Sequence, residues 1–381
     1  MYRDLLILAL ALFTWGIGES VFFFFQPLYL EQMGASHMSI GTIMGFFGIA
    51  LTVAHLPAGY LADRIGRRPL LRAAWAVGML TAWIMALAQS LPVFVTGLLL
   101  YGLTSFVSAP LSSYVTAARG KLSVGRALTL VSATFNLGAI IGPGLGGFIA
   151  DWIGLRRIYL VAASIFVLSN LFIWLLRKQK IEEPHPDDVK NGFHLNSRYK
   201  IYLGVIFLAV FAAYLPQSLS PNYLQNQHAL SIGQIGQLGS ASAIGVVTLN
   251  LVLGQIDARL GYLLAQASVG LFAFLLWRGT GMPWFVAGYF LLGGFRTMRS
   301  LATAQTRELV HAAKMGLAYG LTETASGVAM ILAPPLAGFL YERNPVWMYL
   351  LSIALTIVSL AVGSSFLFFR KQLIQETFLS N

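Results

Sequence analysis

The sequence predicts an all-α membrane protein with twelve transmembrane helices in two pseudo-symmetric six-helix bundles. Three observations predict it. The chain of 381 residues is 57% hydrophobic and only 10% charged, against roughly 25% charged in a typical soluble domain. Twelve segments approach the ~20 apolar residues that cross a bilayer core. One charged stretch with two prolines, RKQKIEEPHPDDVKNGFHLNSRYK (177–200), lacks apolar periodicity and divides the segments six and six.

In chain order the expected spans are 4–30, 38–61, 69–89, 92–117, 126–150 and 157–176, then 201–224, 231–256, 261–278, 283–306, 315–340 and 346–369. The start, MYRD, leads into an apolar run without a small-residue cleavage pattern, so it reads as a first helix and not as a removable signal. Spans 5 and 11 contain glycine and proline, which membrane helices tolerate. Pro216 and Pro221 predict that span 7 is broken near one end. The expected organisation is a bundle at 1–176, a linker at 177–200 and a second bundle at 201–381.

An even number of spans puts both termini on one side. Of the 25 Lys and Arg residues, nineteen fall on the side of the termini, including Arg64, Arg67, Arg68, Arg119, Lys121, Arg126, Arg177, Lys178 and Lys180. Four fall opposite: Arg156, Arg157, Arg278 and Arg343. Basic loops stay in the cytoplasm, so both termini are expected there, in a cell (inner) membrane. The same bias explains the net charge of +11 without nucleic acid as a partner. With no cysteine and six scattered histidines, neither a disulfide frame nor a metal site is expected.

The halves repeat each other. GYLADRIG (59–66) returns as GQIDARLG (254–261), and GPGLGGFIAD (142–151) as APPLAGFLYE (333–342). The offsets, 195 and 191 residues, agree with one duplication. In the second copy Asp257 is displaced by one position, Ala258 stands where Asp63 stands, and no Arg-Arg follows.

These motifs carry a resemblance. GYLADRIGRRPLL (59–71) resembles the signature between helices 2 and 3 of the major facilitator superfamily, through Gly59, Asp63, Arg64, Gly66, Arg67 and Arg68. GAIIGPGLGG (138–147) resembles the fifth-helix motif of that family's antiporters, through Gly138, Gly142, Pro143, Gly146 and Gly147. The likeness extends over the whole chain. It implies a secondary active transporter of the proton-coupled drug or metabolite efflux branch, with spans 1, 4, 7 and 10 lining a central cavity. It also implies that Asp63 braces the start of span 11, near Lys314 to Leu317. Physically, Gly59 and Gly66 allow a tight turn. The small residues of span 5 allow close helix packing, and Pro143 bends its helix or opens the hydrogen-bond ladder.

Ionisable groups at membrane depth are functional candidates. The deep acids are Glu19 and Glu323; the deep bases are Arg296 and Arg299, which share a helical face with Thr303. A carboxyl at that depth is a candidate proton carrier, so Glu19 and Glu323 are the expected proton-coupling residues. Trp15 and Gln26 share the face of Glu19, and Tyr319 that of Glu323. Ser132 stands 191 residues before Glu323, with Asn136 one turn on. Arg296 and Arg299 either pair with the two acids or bind an anionic substrate. Tyr101 in span 4, and Tyr214, Gln217 and Asn222 in span 7, complete the expected substrate contacts, because aromatics with a few polar groups suit an amphipathic ligand.

The resulting expectation is proton-coupled export of a small amphipathic or organic solute by a monomer in the lipid bilayer. No cofactor is needed beyond the proton gradient, and no Walker A stretch supports ATP-driven transport. Uptake or flipping of an anionic substrate or lipid is the alternative, and a non-transporting membrane receptor a further one. No nucleophile–base or metal constellation indicates an enzyme.

Overall fold

The computed structural model describes residues 2–54, 66–179, 197–309 and 315–379. They form α1 (Tyr2–Phe23), α2 (Gln26–Gln32), α3 (His37–Ala54), α4 (Arg67–Leu87), α5 (Leu91–Leu103), a 3-10 turn (Thr104–Val107), α6 (Ser108–Ala118), α7 (Val124–Ile153) and α8 (Leu155–Trp174). After the linker come α9 (Ser197–Tyr214), α10 (Ser220–His228), α11 (Ile232–Leu253), α12 (Ala258–Arg278), α13 (Met282–Leu292), α14 (Gly294–Leu309), α15 (Met315–Arg343) and α16 (Trp347–Leu379). Among the described residues there is no strand, and ten helical stretches, counting α5 through α6 as one, are long and apolar enough to cross a membrane. The two other expected spans, 7 and 10, are each divided into two shorter helices, α9–α10 and α13–α14.

Local chemistry sets the boundaries. Ser123 caps α7 by accepting a hydrogen bond from the Arg126 amide. Gly154 ends α7 and starts α8 at φ 88°, a conformation that costs glycine little. Gly66 precedes α4 at φ 89°, as its motif predicts. Gly59, Asp63 and Arg64, like Lys314, lie outside the described residues. Asp257, the displaced acid of the second copy, is a helix cap: its side chain accepts from the amides of Arg259 and Leu260.

Each broken span leaves carbonyls that water cannot satisfy in hydrocarbon, so side chains must. Pro216 has no N–H for the Ala212 carbonyl, and Ser352 Oγ donates to it at 2.7 Å. Gln217 Nε2 donates to the neighbouring Ala213 carbonyl at 2.8 Å. In span 10 the break falls at Gly293–Gly294, where Ser268 Oγ donates to the Leu291 carbonyl at 3.1 Å. There the chain crosses α11 so closely that a Cβ on Gly293 would collide with the Val246 amide. In α7, Ser240 Oγ bridges two backbone groups around Pro143. It donates to the Ile140 carbonyl at 2.8 Å and accepts from the Gly144 amide at 3.1 Å.

The chain forms two compact units: Met1–Lys190 with Pro221–Ala243, and Asn191–Ser220 with Ile244–Asn381. Most of α10 and the first half of α11 therefore belong with the first six spans. Small residues are one cause. In the first unit Gly138, Gly142 and Gly146 face α1, where a Cβ on Gly142 would lie 2.5 Å from that of Ser20. On an adjacent face of α7, a Cβ on Gly147 would come within 3.0 Å of the Cα atoms of Gly233 and Gly236 in α11. The motif thus packs two neighbours at once. The first unit builds α1 along α7 and α8, and α4 along α8 and α5; the second packs α9 on α15 and α16, and α12 on α14 and α16.

Candidate functional site

The first unit encloses a cavity of about 570 Å³, large enough for a small organic molecule. Its wall includes Trp15, Glu19, Phe23, Trp75, Tyr101 and Ser132. Apolar side chains and hydroxyls make up most of the rest, and Glu19 is the only charged side chain among the described residues lining it. The half-buried carboxylate is oriented by two neutral donors. Trp15 Nε1 donates to Oε2 at 3.0 Å, one helical turn away, and the Tyr101 hydroxyl is a second hydrogen-bond partner.

Trp15 is itself fixed. Its ring stacks on Phe166 with centroids 4.2 Å apart and lies 5.0 Å from Trp75. It fills the space over Gly78, where a Cβ would overlap the indole. A network of rings with few rotatable bonds therefore holds the one acid of the cavity in place. Of the expected contacts, Trp15, Glu19 and Tyr101 meet here. Asn136 is half-buried one turn from Ser132 but is not in the cavity wall. Gln26 is not in that wall either: it is fully buried, and neither side-chain polar atom has a hydrogen-bond partner among the described residues.

The second unit holds the other charged cluster. Arg299 Nη2 and Glu323 Oε2 form an ion pair at 2.5 Å. Thr303 Oγ1 lies 3.2 Å from Glu323 Oε1 and donates to it, and Arg299 Nη1 is 3.9 Å from the Met330 sulfur. α14 is amphipathic: Phe295, Met298 and Ala302 are buried, whereas Arg296 and Ser300 are exposed. Arg296 is exposed, and Arg299 is partly exposed and paired with Glu323. Tyr214 stacks on Phe295 with centroids 5.7 Å apart. Tyr319 is half-buried one turn before Glu323.

Two expected span 7 contacts have structural partners. Gln217 satisfies the Ala213 carbonyl at the helix break. Asn222 is fully buried and donates to the Pro27 carbonyl at 3.1 Å and to Glu31. Glu31 was not among the expected site residues, because it falls just past span 1 and not at membrane depth.

The sequence pattern of the Major Facilitator Superfamily matches residues 8–261 and 202–376. The chain belongs to the major facilitator superfamily. The overlapping matches cover both repeats. Multidrug resistance protein 2 of Bacillus subtilis (strain 168) is 23% identical over 94% of this chain and 93% of its own length. The multidrug resistance protein MdtG of Escherichia coli (strain 55989 / EAEC) is 32% identical, over 51% of this chain and 48% of its own. Solved structures share the superfamily fold. The nucleoside transporter NupG superposes with a TM-score of 0.76 at 14% identity, covering 96% of this chain and 98% of its own. The human organic anion transporter MFSD10 superposes with 0.68 at 15% identity, covering 95% and 99%. At such identities they show the fold alone.

Proposed function

We propose that this transporter exports a small amphipathic organic solute, one carrying positive charge, in exchange for protons. The observation that carries this reading is the Glu19 carboxylate in a cavity whose other described wall residues are aromatic, aliphatic and hydroxyl side chains. Rings present a negative face to a cation, and a carboxylate adds charge to it. The same carboxylate cannot hold a proton and a cation equally well. Competition between the two at Glu19 gives exchange when access alternates between the two sides of the membrane. The matched relatives named for multidrug resistance support export. The nineteen-to-four bias of basic residues supports cytoplasmic termini in the inner membrane. The chain acts as a monomer with no cofactor, driven by the proton gradient.

Glu323 has a different part in this scheme. It pairs with Arg299, and a change at that pair alters the second unit and not the proton step. Flux from proteoliposomes under an imposed pH gradient tests the assignment. Glu19→Gln abolishes gradient-driven flux of a cationic solute. If Glu19→Gln leaves it intact, the assignment is wrong.

A second reading has one observation in its favour: two arginines, Arg296 and Arg299, stand within one turn of each other on α14. On it the second unit binds an anionic group for uptake or flipping. Arg296→Ala then weakens anionic ligands over cationic ones, and an unchanged preference removes this alternative.

A further inference from the structure

The densest polar cluster outside the two membrane-depth sites surrounds Glu31. This residue lies in α2, on the side poor in lysine and arginine. Three side chains from two other helices converge on its carboxylate. Asn226 Nδ2 donates to Oε1 at 2.9 Å, and Asn222 Nδ2 donates to Oε2. His37 Nε2, at the start of α3, lies 3.2 Å from Oε1 and forms an ion pair when protonated. Asn222 and Asn226 stand one turn apart on α10, so one helical face supplies both amides. Asn222 also donates to the Pro27 carbonyl, which ties the backbone of α2 to the same side chain.

The arrangement follows the internal repeat. Asn222 stands 191 residues after Glu31, the offset that relates the GPGLGG and APPLAG motifs. The two residues hold equivalent places in the two sequence halves and bond to each other. The acid occurs in the first copy and the amide in the second, so like charges never meet.

We propose that Glu31 is a latch: its carboxylate fastens the end of span 1 to the outer half of span 7 on the lysine-poor side, and loss of its charge releases the two. The proposal rests on alternating access but not on which solute moves. Hydrogen bonds to an ionised acceptor are about twice as strong as neutral ones, and here one carboxylate takes all of them. A neutral carboxyl or amide cannot. It has fewer acceptor lone pairs, and its own N–H or O–H faces the Asn N–H groups.

Charge balance agrees. The ionisable groups on the three helices are Tyr29 and Glu31 on α2, His37 on α3, and Tyr223 and His228 on α10; Arg156, at the start of α8, acts on Tyr29. Burial pushes Glu31 up, but the hydrogen bonds from His37, Asn222 and Asn226 and the charge of His37 outweigh it, leaving the group below the ordinary carboxylate value of 4.5. Burial lowers the pKa of His228 by disfavouring its charged form. A depressed carboxylate stabilises the closed latch above 4.5 and loses that contribution as pH falls through the latched value.

The chain has no cysteine, so two introduced cysteines take spin labels uniquely. Gln32→Cys and Gln227→Cys place them at exposed positions on α2 and α10 that make none of these contacts. Pulsed spin-label distances on the full chain in lipid nanodiscs near pH 7 show a short separation. Glu31→Gln lowers the ratio of short to long separations about tenfold, the change expected when bonds to a charged acceptor are lost. Asn226→Ala, at an exposed position, shifts the ratio the same way by less and guards against a folding failure at Glu31. Acidification to about pH 4 shifts the wild type but not Glu31→Gln. Glu19→Gln, which tests the proton step, leaves the distances and their pH response unchanged. A distribution in Glu31→Gln identical to wild type overturns the latch. So does an acid response that survives in Glu31→Gln.

Discussion

Glu19 and Glu323 are the same residue type at membrane depth, one in each unit, yet their surroundings differ. Glu19 is met by an indole N–H and a phenol in a cavity of rings and hydroxyls. Glu323 is met by a guanidinium and a threonine hydroxyl on an amphipathic helix. A carboxylate beside a fixed cation has its charge answered permanently. The partners the structure gives Glu19 are neutral dipoles, which orient a carboxylate without cancelling its charge. The difference between the two acids lies in their partners, not in residue type.

The strongest way to break the comparison is to neutralise each acid. Glu19→Gln is expected to lower gradient-driven flux by more than about tenfold and to flatten its dependence on pH, because an intramembrane acid at the solute cavity is lost. Glu323→Gln is expected to lower flux less and to retain the pH dependence. Parallel flux–pH profiles in proteoliposomes check both, and a flat profile for Glu323→Gln reverses the roles. Next in size is the ion pair itself. Arg299→Ala and Glu323→Ala each lower thermal stability, and the double variant loses less than their sum. The coupling should be ~0.5–1 kcal/mol, since both side chains are partly exposed. Tyr101→Phe removes one hydrogen bond to Glu19, worth ~1 kcal/mol. A few-fold weaker binding of a cationic dye, read by fluorescence, is expected, with Trp15 still packed. Thr303→Val should be smallest, at ~0.5 kcal/mol, because Arg299 still holds Glu323. Thermal unfolding reads it, and a larger loss than for Arg299→Ala would make the hydroxyl the main partner.

Much of this architecture was legible in the sequence. Hydropathy, the basic-residue bias and the two repeated motifs depend on composition and spacing, which survive without coordinates. The division of span 7 was written in Pro216 and Pro221. The break in span 10 was less plain, because Gly293–Gly294 lies inside an apolar run and glycine is common in membrane helices. Only the close crossing of α11 shows why no side chain fits. The pairing of Glu323 with Arg299 was among the expected alternatives, but the donors of Glu19 depend on ring orientation, which no spacing gives. Asn222 shared an expected role with Tyr214 and Gln217, yet its partner is Glu31, 191 residues earlier. The repeat offset held that contact in advance; it was hidden because Glu31 falls just past the expected end of span 1.

The Ser240 hydroxyl inside α7 has a mechanical consequence. While it is inserted, the Gly144 amide and the Ile140 carbonyl are both satisfied through one oxygen. The oxygen thus ties α11 to α7 at the turn that Pro143 weakens, so α11 is fastened to backbone there and not only to side chains.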